Sequence, residues 1–329
     1  MKAAFAIVSA NYLPFAGVLA DSFLTHHPDY TFYVGILEKK DVTLPPSNNL
    51  RFLFVEDIGI SNLGSMLARY NIFELSCALK PFYADYLMKE KGAKEVFYFD
   101  SDVVVYGRLP VLEHYPDDQI FLTPHLLAQD GLNKKNELHN LESGVFNGGF
   151  FALRAGEQSL LFLDWWKARM AEFSYQGKPG LFVDQIWLNF VPAYFTQVRI
   201  ITDPGYNVAY WNIHHRRITR QNGIFQVNDH PLRFFHFSGF KISKPKQLSV
   251  YDPDVQLNDF PEVASLTETY CQALIEHPYQ ELANHKPTLG TRNRVRPSYK
   301  NEHNPVLRVI KKIGYLVVKK PSVVDFPAQ

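Results

Sequence analysis

Glu95-Val96-Phe97-Tyr98-Phe99-Asp100-Ser101-Asp102-Val103-Val104-Val105 carries more structural information than any other segment of this 329-residue chain. A β-prone, largely apolar run ends in two carboxylates two residues apart. Acidic side chains beyond a buried strand are costly unless a cation or hydrogen bonds satisfy them. In an open α/β sheet the C-terminal edge of the strands is where ligands bind. A divalent ion that also grips a phosphate would satisfy both acids, because hard cations take oxygen ligands. The competing reading is a turn cap, a common use of Asp-Ser-Asp.

The segments before this one set it in a sheet. Phe5 to Ser9 is an apolar run stopping at the polar turn Ala10-Asn11-Tyr12. Pro14 suits a helix start, and Phe15 to Leu24 has helical spacing. Thr31 to Leu37 and Leu50 to Val55 read as two more strands, and the strand–helix–strand rhythm predicts a parallel α/β sheet. Asn71 with Glu74 predicts a capping box. The helix after it runs through Leu79, Phe82, Tyr86 and Leu87, with Pro81 expected to kink or restart it.

After the acidic pair, Gln119 to Leu122 reads as a strand and 129–143 as a polar loop. Gly144 to Arg154 returns to strand character. Ser159 to Phe173 is amphipathic, with Leu161, Trp165 and Ala168 expected on its buried face. A helix around Val183 to Phe190 and strands near Val198 and Phe234 close a unit placed at residues 1–245. The remainder, 246–329, reads as an extension with a helix from Glu262 to Ile275 and a basic tail. From Lys286 onward ten Lys or Arg face only Glu302 and Asp325, a local +8 that the overall +1 conceals.

Composition narrows the class. Hydrophobic residues at 46% and charged residues at 20% exclude a disordered chain. The near-neutral total gives no bulk field to attract nucleic acid. Cys77 and Cys271 are the only cysteines, which excludes a disulfide scaffold and suits a reducing compartment. The start imitates a signal peptide, but Ser9, Asn11 and Pro14 interrupt it, and cleavage would remove the first strand. A cytoplasmic location is the expectation. Aromatics at 15% fit either sugar binding or a large aromatic core.

Two enzyme classes place Asp-x-Asp at a strand end. In haloacid-dehalogenase-like phosphatases the first Asp is a nucleophile and the second a general acid. That class puts the strand near the N-terminus, whereas about a hundred residues precede it here. A non-catalytic carbohydrate-binding protein is the reading outside enzymes. With four ordered motifs the sequence resembles retaining glycosyltransferases of the GT-A fold, similar to glycosyltransferase family 8. Asp100-Ser101-Asp102 resembles the DxD of that family and Asn147-Gly148-Gly149 its NxG segment. Asp184-Gln185 resembles its DQ pair, and His236-Phe237-Ser238-Gly239 the start of HxxGxxKP.

The resemblance implies a mixed, Rossmann-like sheet flanked by helices. It implies transfer of a hexose from a nucleotide diphosphate sugar, UDP favoured, to a glycan or glycolipid in surface polysaccharide synthesis. Asp100, Asp102 and His236 would ligate Mn²⁺ or Mg²⁺, and an imidazole ligand tilts the choice toward Mn²⁺. Asp184 and Gln185 would position the sugar and stabilise an oxocarbenium-like centre. Ala10, Asn11 and Tyr12 would hold the nucleoside, and Ser101, Asn147, Gly149 and Gly239 would complete the donor site. Read from its own residues, Asn207 to Asn212 combines amides and aromatics and is either an acceptor wall or a strand and turn closing the core. The chain departs from the family at Ile242, where the motif has Lys, leaving Lys241 or Lys244 for the diphosphate. It departs again at Lys80, where the family often has Arg. Read from its own residues, the mixed apolar and basic segment 306–320 either lies on an anionic membrane surface, which would make the protein peripheral, or packs on the domain as a terminal helix or strand.

Overall fold

The computed structural model describes residues 1–45, 47, 50–129 and 135–290. The segment 306–320 lies outside the described residues. Met1–Thr291 forms one compact unit, so position 245 falls inside it.

The first half supplies β1 (Lys2–Val8), α1 (Leu13–His26), β2 (Thr31–Ile36), β3 (Leu50–Phe54), α2 (Leu63–Arg69), α3 (Ile72–Lys89) and β4 (Glu95–Phe99). After β5 (Val103–Val105) and α4 (Val111–His114) come β6 (Ile120–Pro124), α5 (Lys135–Ser143), β7 (Phe146–Arg154), α6 (Glu157–Phe173), α7 (Val191–Tyr194) and β8 (Val198–Ile200). Seven of these strands form one sheet in the order β3-β2-β1-β4-β7-β6-β8. Strands β1 to β4 are parallel, and β7 runs antiparallel to both its neighbours. The sheet is therefore mixed and flanked by helices, as expected. Strands β9 (Ile218–Gln221), β10 (Ile224–Val227) and β11 (His230–Pro231) make a small antiparallel sheet. Strand β12 (Phe234–His236) pairs antiparallel with β5, and α8 (Pro261–Glu276) follows.

The apolar strands are continuous because both faces are covered. Alternate residues of β4 point to different cores. Phe97 and Phe99 pack beneath α1 with Phe23, while Val96 and Tyr98 pack with Phe5, Tyr83 and Phe151 beneath α3 and α6. Each such fully buried ring contributes about 1.5–3 kcal/mol. Much of the aromatic excess is core.

Three local expectations change. Helix α3 carries its capping box, and of the two expectations at Pro81 the restart is not seen, since the helix is continuous from Ile72 to Lys89. A proline inside a helix, through the lost backbone hydrogen bond and the ring's clash with the preceding turn, costs about 3 kcal/mol, and burial of Leu79, Tyr83, Ala84 and Leu87 outweighs it. The polar stretch 129–143 contains α5, whose buried residues are only Asn140 and Ser143. A helix exposed on nearly all sides leaves no apolar stripe to read. Helix α6 buries Phe162, Leu163, Trp166 and Met170, not the stripe of Leu161, Trp165 and Ala168. Both stripes have helical spacing, and contact with the core behind α3 selects between them.

Helix α8 buries Val263, Leu266, Tyr270 and Leu274 as expected. Residues beyond 245 are seated on the first helix: a Cβ at Gly17 would lie 2.1 Å from the His277 ring. Val18 of α1 lies in one apolar core with Leu266, Tyr270 and Leu274 of α8, which joins these residues to the unit.

Candidate active site

Strand β4 delivers Asp100 and Asp102 to the C-terminal edge of the sheet. The pairing of β12 with β5 sets His236 opposite Val103, and the Phe237 amide donates to the Asp102 carbonyl at 2.7 Å. One ligand atom from each of Asp100, Asp102 and His236 lies within 4.8 Å of the others. His236 Nε2 is 3.0 Å from Asp102 Oδ1, and its Nδ1 is 3.2 Å from Asn207 Oδ1. Nδ1 thus donates to Asn207, which aims Nε2 at the carboxylates. Burial opposes a charge on His236, but the adjacent Asp102 raises its pKa above the ordinary value. Asp102 is part-buried at the floor of the site, and His236 holds its carboxyl below the usual range. Two carboxylate oxygens and one oriented imidazole nitrogen fit a divalent cation.

The register of β7 on β4 puts Gly149 beside Asp100, whose amide donates to the Gly149 carbonyl at 2.8 Å. A Cβ on Gly149 would lie 2.5 Å from His236 Cε1, 2.8 Å from Asn147 Oδ1 and 2.9 Å from Asp100 Oδ2. Only glycine leaves these three groups in place. Asn147 accepts from the Gly149 amide and from Asn207 Nδ2. Its own amide donates toward Gln185 Oε1 at 3.2 Å and His125 Nε2 at 3.1 Å. Burial drives the His125 pKa down to about 4, leaving a neutral ring.

Lys80 is 3% exposed; its ammonium donates to Gly148 O at 2.9 Å and forms ion pairs with Asp184 Oδ2 at 2.9 Å and Asp100 Oδ1 at 3.3 Å. Burial works against its charge, yet Asp100 and Asp184 raise its pKa well above normal. The lysine therefore neutralises two acids at the base of the site. Tyr98 donates to Asp100 Oδ1 at 2.5 Å. Asp184 is 1% exposed, and burial pushes its carboxyl up while Lys80 pulls it back. Val183 precedes it with φ of 40°, a strained conformation for a β-branched residue. Gln185 is tied at both ends: Oε1 accepts from the Gly148 amide at 2.9 Å and Nε2 donates to Ser143 O at 3.0 Å.

A cleft of about 260 Å³ opens over this cluster, lined by Ser9, Tyr12, Asp100, Ser101, Asp102, His236, Gly239 and Lys241 among others. Ala10 is fully buried with its amide on Glu38, and Asn11 accepts from the Ser9 hydroxyl, so Tyr12 is the residue of that turn facing the cleft. Of the two candidate lysines, Lys241 lines the cleft and Lys244 does not. Gly239 has φ of 77° and packs so closely on Ser249 and Tyr251 that a Cβ would lie 2.6 Å from each. The segment 207–212 is not a wall open to an acceptor. Asn207, Val208, Ala209 and Asn212 are buried, and Asn212 donates to His125 O and Asn207 O.

His125 is absent from the sequence reading, and Asn207 entered it as part of a possible acceptor wall, not as the partner of His236. No motif marks Asn207, which acts from a left-handed conformation with φ of 52°. His125 follows Pro124 directly at the end of β6, the position that singled out Asp100 on β4.

No family model matches the chain. YfnF, an uncharacterised protein of Bacillus subtilis strain 168, is 26% identical over 209 residues, covering 62% of this chain and 69% of its own. YfnD, another uncharacterised protein of that strain, is 22% identical over 252 residues, covering 74% and 79%. Among solved structures, the galactosyltransferase LgtC in complex with donor and acceptor sugar analogs is 18% identical with a TM-score of 0.49, over 84% of this chain and 96% of that one. The glycosyltransferase GlyE of Streptococcus pneumoniae TIGR4 is 16% identical with a TM-score of 0.45, over 86% and 62%. Likeness at this level does not fix chemistry.

Proposed function

We propose that this chain is a metal-dependent GT-A glycosyltransferase that moves a hexose from a UDP-sugar to a glycan or glycolipid with retention of configuration. One observation carries the reading: Asp100, Asp102 and His236 converge at the ligand edge of the sheet, beneath a cleft that also exposes Tyr12 and Lys241. The three side chains would hold Mn²⁺, or Mg²⁺ with weaker affinity. The bound cation supplies Lewis acidity to a diphosphate leaving group. Lys241 adds positive charge at the same place, and Tyr12 offers a ring face to the base.

Retention is supported by where the carboxylates stand. Among the described residues, the acids lining the cleft are Asp100 and Asp102. Asp184 is buried and ion-paired with Lys80, which makes it a poor nucleophile for double displacement. Same-face transfer, in which the leaving diphosphate helps deprotonate the acceptor, needs no such nucleophile. In this reading Asp184 and Gln185 act by fixing Lys80, Gly148 and Asn147 around the sugar. Surface polysaccharide assembly at the cytoplasmic membrane face is the proposed setting. Among the described residues, no helix is long and apolar enough to cross a membrane.

A panel of nucleotide sugars incubated with Mn²⁺ and read by released nucleotide tests the proposal. Release from one or a few UDP-sugars, abolished by chelator, is expected. Turnover of a simple phosphate ester without nucleotide sugar would reject it.

A further inference from the structure

Glu38 is an acid at the end of an apolar strand, like Asp100, but it is fully buried and outside the metal cluster. It sits two residues beyond β2, and each of its oxygens holds a different part of the chain. Oε1 accepts the Ala10 amide at 2.9 Å. Oε2 accepts the Thr288 amide at 2.6 Å and the Thr288 hydroxyl at 2.5 Å, with His285 Nε2 at 3.7 Å. The Thr288 hydroxyl in turn accepts the Lys39 amide at 2.9 Å. Bonds to an ionised carboxylate are the strong ones, and several donors repay its desolvation.

The segment joined in this way is seated at both ends. Leu289 is buried in the core that includes Leu37, and a Cβ on Gly290 would lie 2.6 Å from the Ile72 Cα at the start of α3. Leu37 and Ile72 both line the cleft, and Tyr12 follows Ala10 by two residues. Residues 285–290 thus brace the back of the wall that Tyr12, Leu37 and Ile72 present to the cleft.

We propose that Glu38 is a positioning residue that joins the segment 285–290 to the Ala10–Tyr12 turn, so that this late segment sets the nucleoside end of the cleft. The inference rests on the nucleotide-sugar reading for its ligand but not for its geometry. Nothing in the bonding involves Asp100, Asp102 or His236, so metal binding and the chemical step do not depend on it.

Thr288→Val keeps the shape and removes the hydroxyl bonds; Thr288→Ser keeps them. Two measurements on the full chain test the inference. Amide exchange without ligand is expected to quicken at least tenfold at Ala10 in Thr288→Val, with β4 unchanged and Thr288→Ser at the wild-type rate. UDP binding with Mn²⁺, by calorimetry, is expected to weaken about tenfold in Thr288→Val and recover in Thr288→Ser, while Mn²⁺ affinity alone stays within twofold. Unchanged exchange at Ala10 would overturn the coupling through the Thr288 hydroxyl whatever the ligand. Quickened exchange with UDP affinity unchanged in a wild type that binds UDP would overturn the positioning role. A wild type that binds no UDP but shows the exchange effect would support the coupling and count against the nucleotide-sugar reading instead.

Discussion

Gly149 has no room for a side chain, because the atoms a Cβ would strike belong to Asp100, Asn147 and His236. Overpacking of this kind costs about 1–3 kcal/mol. Gly149→Ala is expected to weaken Mn²⁺ binding at least tenfold in calorimetry while the far-ultraviolet circular dichroism stays that of the wild type. At the same scale, His125 and His27 are buried neutral rings whose pKa values burial lowers to about 4. Each takes up a proton in the unfolded chain below about pH 6.5 but in the folded chain only near pH 4. Stability is therefore full above pH 6.5 and falls as the pH drops from 6.5 to about 4, by roughly 3 kcal/mol for each ring. Urea unfolding of His125→Gln should show a visibly shallower loss over that window; an unchanged slope would contradict the assignment. Acids at strand ends were legible from apolar runs that stop in a carboxylate, and that logic extends to Glu38, which closes the run Thr31 to Leu37. The partnership of Asn207 with His236 was not legible, since it depends on a backbone conformation and on a residue 29 positions away.

Continuous apolar strands and helices with a single apolar stripe were read well, and helices with several possible stripes or none were not. Helix α8 declares a single stripe of Val263, Leu266, Tyr270 and Leu274 and occupies it. Helix α6 is apolar around more than half its circumference, so spacing alone could not choose the buried face. Helix α5 has almost nothing to bury, so its sequence reads as loop. Helix α3 crosses Pro81 because the core on its inner face is worth more than the proline costs. The same helix carries Lys80 between Asp100 and Asp184. Removing one member of a buried ion pair costs about 3–5 kcal/mol, because its partner is left charged and unsolvated. Lys80→Met is expected to lose stability of that order in chemical denaturation. Lys80→Met with Asp184→Asn is expected to recover much of it, giving a large coupling energy. Additive losses would show that the pair contributes nothing.

At the scale of the molecule, residues 1–291 form one unit in which the segment after 245 covers α1 and reaches Glu38. A test of the basic tail should therefore cut after Gly290, since an earlier cut would remove Thr288 and Leu289 as well. Each basic residue near an anionic surface adds about 1 kcal/mol of attraction. Flotation with anionic vesicles should carry the full chain upward and leave the shortened one behind at physiological salt. Equal flotation would remove the membrane role. The central claim is that residues 134 positions apart in the chain hold one ion and, through it, a nucleotide diphosphate. Crystals soaked with Mn²⁺ and UDP, measured at the manganese absorption edge, test it most directly. A single anomalous peak within bonding distance of Asp100, Asp102 and His236 Nε2, with diphosphate density beside it in the cleft toward Lys241, is the result expected. A peak elsewhere, or none at this cluster with UDP bound, would contradict it.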